Sequence, residues 1–232
     1  MSSYTTLLNN LDELNLHQIK ENLDIYIDLI NAGDKTVVDA LNELMKLEIG
    51  LQNERATHAC VKVANFPFIK TFEDFDFSFQ PTLNKERIMD LGTLRFLEKK
   101  ENVLFLGNSG VGKTHLSVAI GVAAAMKRKS TYFINCHDLL LNLKKAHLEN
   151  RLETRLKHYC KYKVLIIDEI GFLPITKEES NMFFQLINRR YEKSSTIITT
   201  NKEFSKWHEV FGDSTIANAI LDRLLHHSIV EK

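Results

Sequence analysis

The feature that most constrains this chain is the run Gly107-Asn108-Ser109-Gly110-Val111-Gly112-Lys113-Thr114. The apolar Val103-Leu104-Phe105-Leu106 precedes it, and Leu116, Val118, Ala119, Ile120, Val122 and Ala123 follow at helical spacing. Strand, glycine-rich turn and helix in immediate succession make a phosphate loop. Glycines at 107, 110 and 112 let backbone N–H groups converge on an anion, and the helix opening at Lys113 adds the positive end of its dipole. Lys113 is then expected to reach the β- and γ-phosphates as a point charge, and the Thr114 hydroxyl to ligate Mg²⁺.

A second stretch completes the chemistry. Val164-Leu165-Ile166-Ile167 ends in Asp168-Glu169, and four continuous aliphatics fit a parallel strand covered on both faces. Asp168 at its end is expected to hold Mg²⁺, and Glu169 to act as general base toward the attacking water. Ser195 to Thr200 reads as a further strand that brings Asn201 beside the γ-phosphate, where an amide orients the nucleophile. Guanine recognition through Asn-Lys-x-Asp is excluded, because Phe204 stands where the aspartate is required. Arg223, in Leu221-Asp222-Arg223-Leu224-Leu225, has two readings. It is a surface partner of Asp222 in a single chain, or a finger reaching the γ-phosphate of the next subunit in a ring or filament.

The remaining sequence divides around these motifs. A chain of 232 residues accommodates one α/β core and a small second unit. Residues 1–64 read as a helical domain, 65–100 as a connector with a lead-in helix over Asn84 to Glu98, and 101–232 as the nucleotide-binding domain. Leu7, Leu8, Leu11 and Leu14, then Ile19, Leu23, Tyr26, Ile27 and Ile30, form helical stripes, and Thr36 with Asp39 starts a third helix. Residues 65–81 carry six phenylalanines and two prolines. Their aromatics are expected to pack along the core, with one wall of a base pocket as the alternative.

The formal net charge of zero conceals an asymmetry: residues 1–60 hold ten acidic and four Lys/Arg side chains, whereas 144–163 hold seven Lys/Arg and two Glu. The basic cluster Lys144, Lys145, Arg151, Arg155, Lys157, Lys161 and Lys163 fits either a solvated face or a surface tracking DNA phosphates. Three scattered cysteines without a Cys-x-x-Cys pair suggest neither a disulfide framework nor a zinc site. His158 with Cys160, and His226-His227, read as surface or packing residues. No signal peptide is recognisable and no apolar run approaches the roughly 20 residues of a membrane span, so a cytoplasmic, non-membrane protein is expected.

Several of these motifs, in order, resemble the IstB family of insertion-sequence transposition helper ATPases. They are the phenylalanine-rich segment from Phe66, the loop Gly107 to Thr114, Leu165-Ile166-Ile167-Asp168-Glu169, Arg190-Tyr191-Glu192, Ser195 to Asn201 and Leu221 to His227. That family belongs to the AAA+ proteins and is similar to DnaC-type helicase loaders. The resemblance implies an α/β P-loop three-layer sandwich with a parallel sheet, preceded by a small helical domain. It implies ATP and Mg²⁺ as ligands, ATP-dependent self-assembly on duplex DNA, and recruitment of a partner transposase. A DnaC-type loader, using ATP to switch a protein contact, is the alternative. By motif, Lys113 and Thr114 take Walker A roles, Asp168 and Glu169 Walker B, Asn201 sensor 1 and Arg223 the trans-acting finger, with Arg190 a second candidate for an intersubunit contact. Family members commonly continue into a Ser-Tyr-Arg segment after the final strand, which these 232 residues do not include.

Overall fold

The computed structural model describes residues 2–81 and 83–232. Its contacts divide into two compact units, residues 1–58 and 59–232.

The first unit is helical, as its apolar stripes predict: α1 (Ser3–Glu13), α2 (His17–Asn31) and the first part of α3 (Val37–Val63). Leu11, Ile19, Leu23 and Leu44 form its small core. Glu48 is buried, and its carboxylate accepts from the Gln18 N–H at 2.8 Å and the Ile19 N–H at 3.4 Å. A carboxylate there satisfies free donors at the start of α2 and complements its dipole.

The second unit is a five-stranded, all-parallel sheet in the order β2-β3-β4-β1-β5, made of β1 (Asn102–Leu106), β2 (Thr131–Asn135), β3 (Val164–Ile170), β4 (Ser195–Thr200) and β5 (Ser228–Glu231). Alternation along the strands feeds two cores. Leu104, Leu165, Ile167 and Ile198 point to one face, packed by α7 (Cys136–Leu148), α8 (Leu152–Cys160), α9 (Lys177–Arg190), α10 (Trp207–Phe211) and α11 (Ser214–Leu225). Val103, Phe105, Val164, Ile166 and Ile197 point to the other, packed by α6 (Lys113–Met126) and the lead-in segment. Helices on both faces make this the three-layer α/β sandwich that the family resemblance implied, and β3 is covered on both faces as its continuous aliphatics predicted.

Three sequence expectations change. The lead-in segment is two short helices, α4 (Lys85–Leu91) and α5 (Arg95–Lys99), because the backbone turns left-handed at Leu94 (φ 68°) within an otherwise helical apolar pattern. β5 was not anticipated, since four residues directly after the His226-His227 turn are too few to show a period. Arg190 is fully buried, bonding the carbonyls of Tyr159, Tyr162 and Ser195 and the Thr196 hydroxyl at 2.6–3.0 Å. Burial lowers its pKa to about 10. An arginine whose guanidinium joins the end of α8 to the start of β4 is not available to a neighbouring subunit.

In the connector, Phe66, Phe72, Phe75 and Phe77 pack against the second core while Phe79 is exposed. The Ala64 carbonyl accepts from Phe133 N–H at 2.8 Å and the Asn65 side chain donates to the Phe133 carbonyl at 3.0 Å, covering part of the outer edge of β2. Among the described residues no helix is long and apolar enough to cross a membrane.

Candidate functional site

The strand order explains how motifs far apart in sequence meet. β4 lies between β1 and β3, with Thr199 opposite Phe105 and Thr200 opposite both Leu106 and Ile170. The two threonines therefore stand between the loop that leaves β1 and the carboxylates that end β3.

Two of the loop's three glycines need the conformational freedom that glycine supplies. Gly110 and Gly112 have φ of 82° and 91°, a region that costs other residues about 1–2 kcal/mol. Lys113 rests on its own loop, donating to the carbonyls of Gly107 (2.8 Å) and Asn108 (2.6 Å). Burial holds this ammonium below the usual lysine range, with Asp168 and Glu169 opposing the shift. The Gly107 N–H donates to Thr200 O at 3.1 Å, which ties the loop's first residue to β4.

Asp168 is buried and accepts from the Thr114 hydroxyl at 2.9 and 3.0 Å and from the Thr199 hydroxyl at 2.5 Å. Burial raises its pKa above the ordinary carboxylate value, and the two hydroxyls pull it back. A buried carboxylate with no cationic side chain bonded to it, beside a phosphate loop, is the donor set a divalent cation requires. Thr114 and Asp168 are thus suited to hold Mg²⁺.

Neighbouring residues of a strand face opposite ways, so Asp168 and Glu169 would not ordinarily serve one site. The pairing of β3 with β4 shifts register between Ile167 and Ile170, and Glu169 takes the left-handed region (φ 62°) with its N–H bonded to the Thr199 hydroxyl at 2.8 Å. Such a bulge re-aims a side chain. Glu169 is exposed at the cavity wall and accepts from the Asn135 amide at 2.7 Å. The Thr199 hydroxyl, accepting from Glu169 and donating to Asp168, fixes both acids.

A cavity of about 260 Å³ is lined by Ser109, Gly110, Gly112, Lys113, Thr114, Glu169, Phe172, Thr199, Thr200 and Asn201. Asn201 lines this cavity together with Lys113, Thr114 and Glu169. Gly107 and Asn108 border a separate hollow with Asn201 and Lys202–Lys206, and Val111 is half-buried. Arg223 does not line the cavity. It is paired with Asp222, donates to Asn188 at 3.3 Å and lies 5.0 Å from the centre of the Tyr191 ring. Asn135 and Thr199 were not singled out from sequence. Their signal is positional: each ends or nearly ends a strand adjoining β3, with Asn135 in register with Asp168.

No connector phenylalanine lines this cavity. Phe66 and Phe68 instead line a wider hollow that reaches Thr114, Asp168 and Glu169 from the β2 side. Phe75 stands over the loop, its ring 5.2 Å from that of His115, whose Nε2 pairs with the Thr71 carbonyl at 3.0 Å. A Cβ at Gly112 would lie 2.5 Å from Phe75 Cε2. Gly112→Ala is therefore expected to cost about 1–2 kcal/mol in backbone strain and a further ~1–3 kcal/mol in overpacking. Urea denaturation should show a lowered midpoint, and an unchanged midpoint would mean that the connector yields freely.

Of the histidines weighed from sequence, His158 is packed among aromatic rings, whereas His226 and His227 join Glu192 in an exposed group whose potential ligand atoms lie within 4.8 Å of one another. His158 sits among Tyr132, Tyr159 and Tyr162. His226 and His227 are exposed, each within 3.8 Å of Glu192.

A phosphate loop, a buried acid opposite its threonine and an exposed glutamate on an all-parallel sheet define a P-loop nucleoside-triphosphate-binding protein with the AAA+ fold. Solved structures share that fold: a DnaC helicase loader (TM-score 0.54, 23% identity, 73% of this chain and 97% of that one) and AMPPCP-bound DnaA from Aquifex aeolicus (TM-score 0.57, 20% identity, 70% and 50%). The model of the IstB-like ATP binding protein family matches residues 9–232, and the chain belongs to that family. It is 55% identical over 229 residues to an insertion sequence IS232 protein of Bacillus thuringiensis subsp. berliner, named for ATP binding, covering 99% of this chain and 92% of that one. It is 49% identical over 177 residues to the corresponding IS21 protein of Pseudomonas aeruginosa, covering 76% and 67%.

Proposed function

We propose that this protein is an Mg²⁺-dependent ATPase that assembles with copies of itself on duplex DNA and assists insertion-sequence transposition by recruiting a partner transposase. The observation that carries the ATPase reading is the division of labour between adjacent acids. Buried Asp168 is held by Thr114 and Thr199 for a cation, and Glu169 is turned out to the cavity wall for water. The loop amides and Lys113 would bind the triphosphate, Asn201 would orient the attacking water, and Glu169 would accept its proton. The cation, when bound, would neutralise charge developing on the phosphate oxygens.

The transposition reading is favoured over a helicase loader by the 55% identity to the IS232 protein across nearly the whole chain. For DNA, α7 and α8 offer Lys145 and Arg155, whereas Lys144, Arg151 and Lys157 are partly neutralised by Glu179, Glu149 and Glu153. Fluorescence anisotropy on a labelled duplex is the test. ATP should tighten binding by about 10²-fold or more, because assembly joins many weak contacts. Equal affinity with and without ATP would overturn the coupling of nucleotide to DNA.

A further inference from the structure

The parallel strands all begin at one end of the sheet, opposite the phosphate loop, and lysines gather there. Lys100 precedes β1, Lys129 precedes β2, Lys163 precedes β3 and Lys193 precedes β4, while Lys127 caps the end of α6. Strands of five to seven residues put this end about 15–20 Å from the nucleotide cavity. The five lysines line a single hollow of about 540 Å³, and Glu98 is its one acidic lining residue. In a chain of zero net charge, that is a local concentration of positive charge.

These charges are not spent within the protein. Lys127 donates to the Thr93 carbonyl at 3.3 Å, close to the negative end of the α6 dipole, and that accounts for one of them. Lys100, Lys129, Lys163 and Lys193 are exposed and make no ion pair among the described residues. Ser194 and Ser195 also line the hollow. They are 9% and 1% exposed, and neither hydroxyl has a hydrogen-bond partner among the described residues. A buried hydroxyl left unpaired costs about 1–3 kcal/mol, and both sit in the wall of this hollow.

The lining also says what kind of anion fits. No aromatic side chain is present to stack a base, and the apolar part of the wall is Leu94 and Leu97. Lysines are point charges on flexible stems, suited to phosphate without base discrimination. Five of them, four at the starts of strands and Lys127 at the end of α6, exceed what one free phosphate engages.

We propose that this hollow is a phosphodiester-binding site, taking the sugar-phosphate backbone of DNA at the end of the sheet remote from ATP. The inference rests on the reading of the protein as a DNA-bound ATPase and adds to it the face that tracks the backbone.

The test compares the full chain with the triple variant Lys129→Ala/Lys163→Ala/Lys193→Ala, with ATP, on a random-sequence duplex over a range of salt concentrations. Three lost phosphate contacts should reduce the slope of log affinity against log salt by about 3 and weaken binding roughly tenfold or more. ATP affinity should not change. In parallel, acetylation of lysines read by mass spectrometry should show Lys100, Lys129, Lys163 and Lys193 protected by the duplex. Unaltered slope and unprotected lysines in a protein that still binds DNA would overturn the hollow as a site and leave the DNA reading standing. Failure of the unsubstituted protein to bind duplex would overturn both. Protection by inorganic phosphate equal to that by duplex would overturn the polymeric ligand.

Discussion

Glu169→Gln should slow ATP hydrolysis by about 10²–10⁴-fold, the usual contribution of a positioned general base, with ATP affinity retained. The amide preserves size and keeps an oxygen that can accept from Asn135, but it cannot take a proton from water. Phosphate binding rests on other groups, chiefly the loop and Lys113, so binding and turnover should separate. Equilibrium binding of labelled ATP and single-turnover hydrolysis measure the two, and the variant's complex with DNA and ATP should outlive that of the unsubstituted protein. Asn135→Ala gives the complementary result: it releases the Glu169 carboxylate from its one amide partner and leaves the base chemically intact. Normal turnover in Glu169→Gln would remove this residue from the mechanism.

Arg223→Ala should lower hydrolysis by about 10³–10⁵-fold in the assembled state if the guanidinium serves a neighbour's γ-phosphate. Within one chain Arg223 lies on α11 against Asp222, Asn188 and Tyr191, outside the residues that line its own nucleotide cavity. A local surface ion pair is worth about 0–1 kcal/mol, so a purely structural role predicts little change in either stability or turnover. Mixing distinguishes the two. Arg223→Ala subunits keep Glu169, and Glu169→Gln subunits keep Arg223. Interfaces between the two kinds therefore restore complete sites, and hydrolysis by the mixture should exceed that of either variant alone. A mixture no more active than its parts would confine Arg223 to its own chain.

The parts of the site that were legible in sequence are those whose chemistry is contiguous. Gly107 to Thr114 and Asp168-Glu169 each pack several roles into adjacent positions, and aliphatic strands before them fix the parallel sheet. Asn201 was legible because a strand with a polar tip points its end toward the same edge. Asn135 and Thr199 were not, since their roles depend on which strands lie beside β3, and strand order is not written in any local pattern. Arg190 shows the opposite failure. An arginine near a strand suggests an outward charge, yet here four hydrogen bonds compensate its burial. The phenylalanine-rich connector was legible as core material, whereas its close approach to Gly112 was not.

The left-handed backbone at Glu169 sets two evolutionary pressures against each other. Glycine occupies that conformation without penalty, and a glutamate holds it at about 1–2 kcal/mol. A library of this protein sorted for heat resistance alone would therefore accumulate glycine at 169 and lose turnover as it gained robustness. Retention of the acid under such sorting would mean that its bond to Asn135 outweighs the strain.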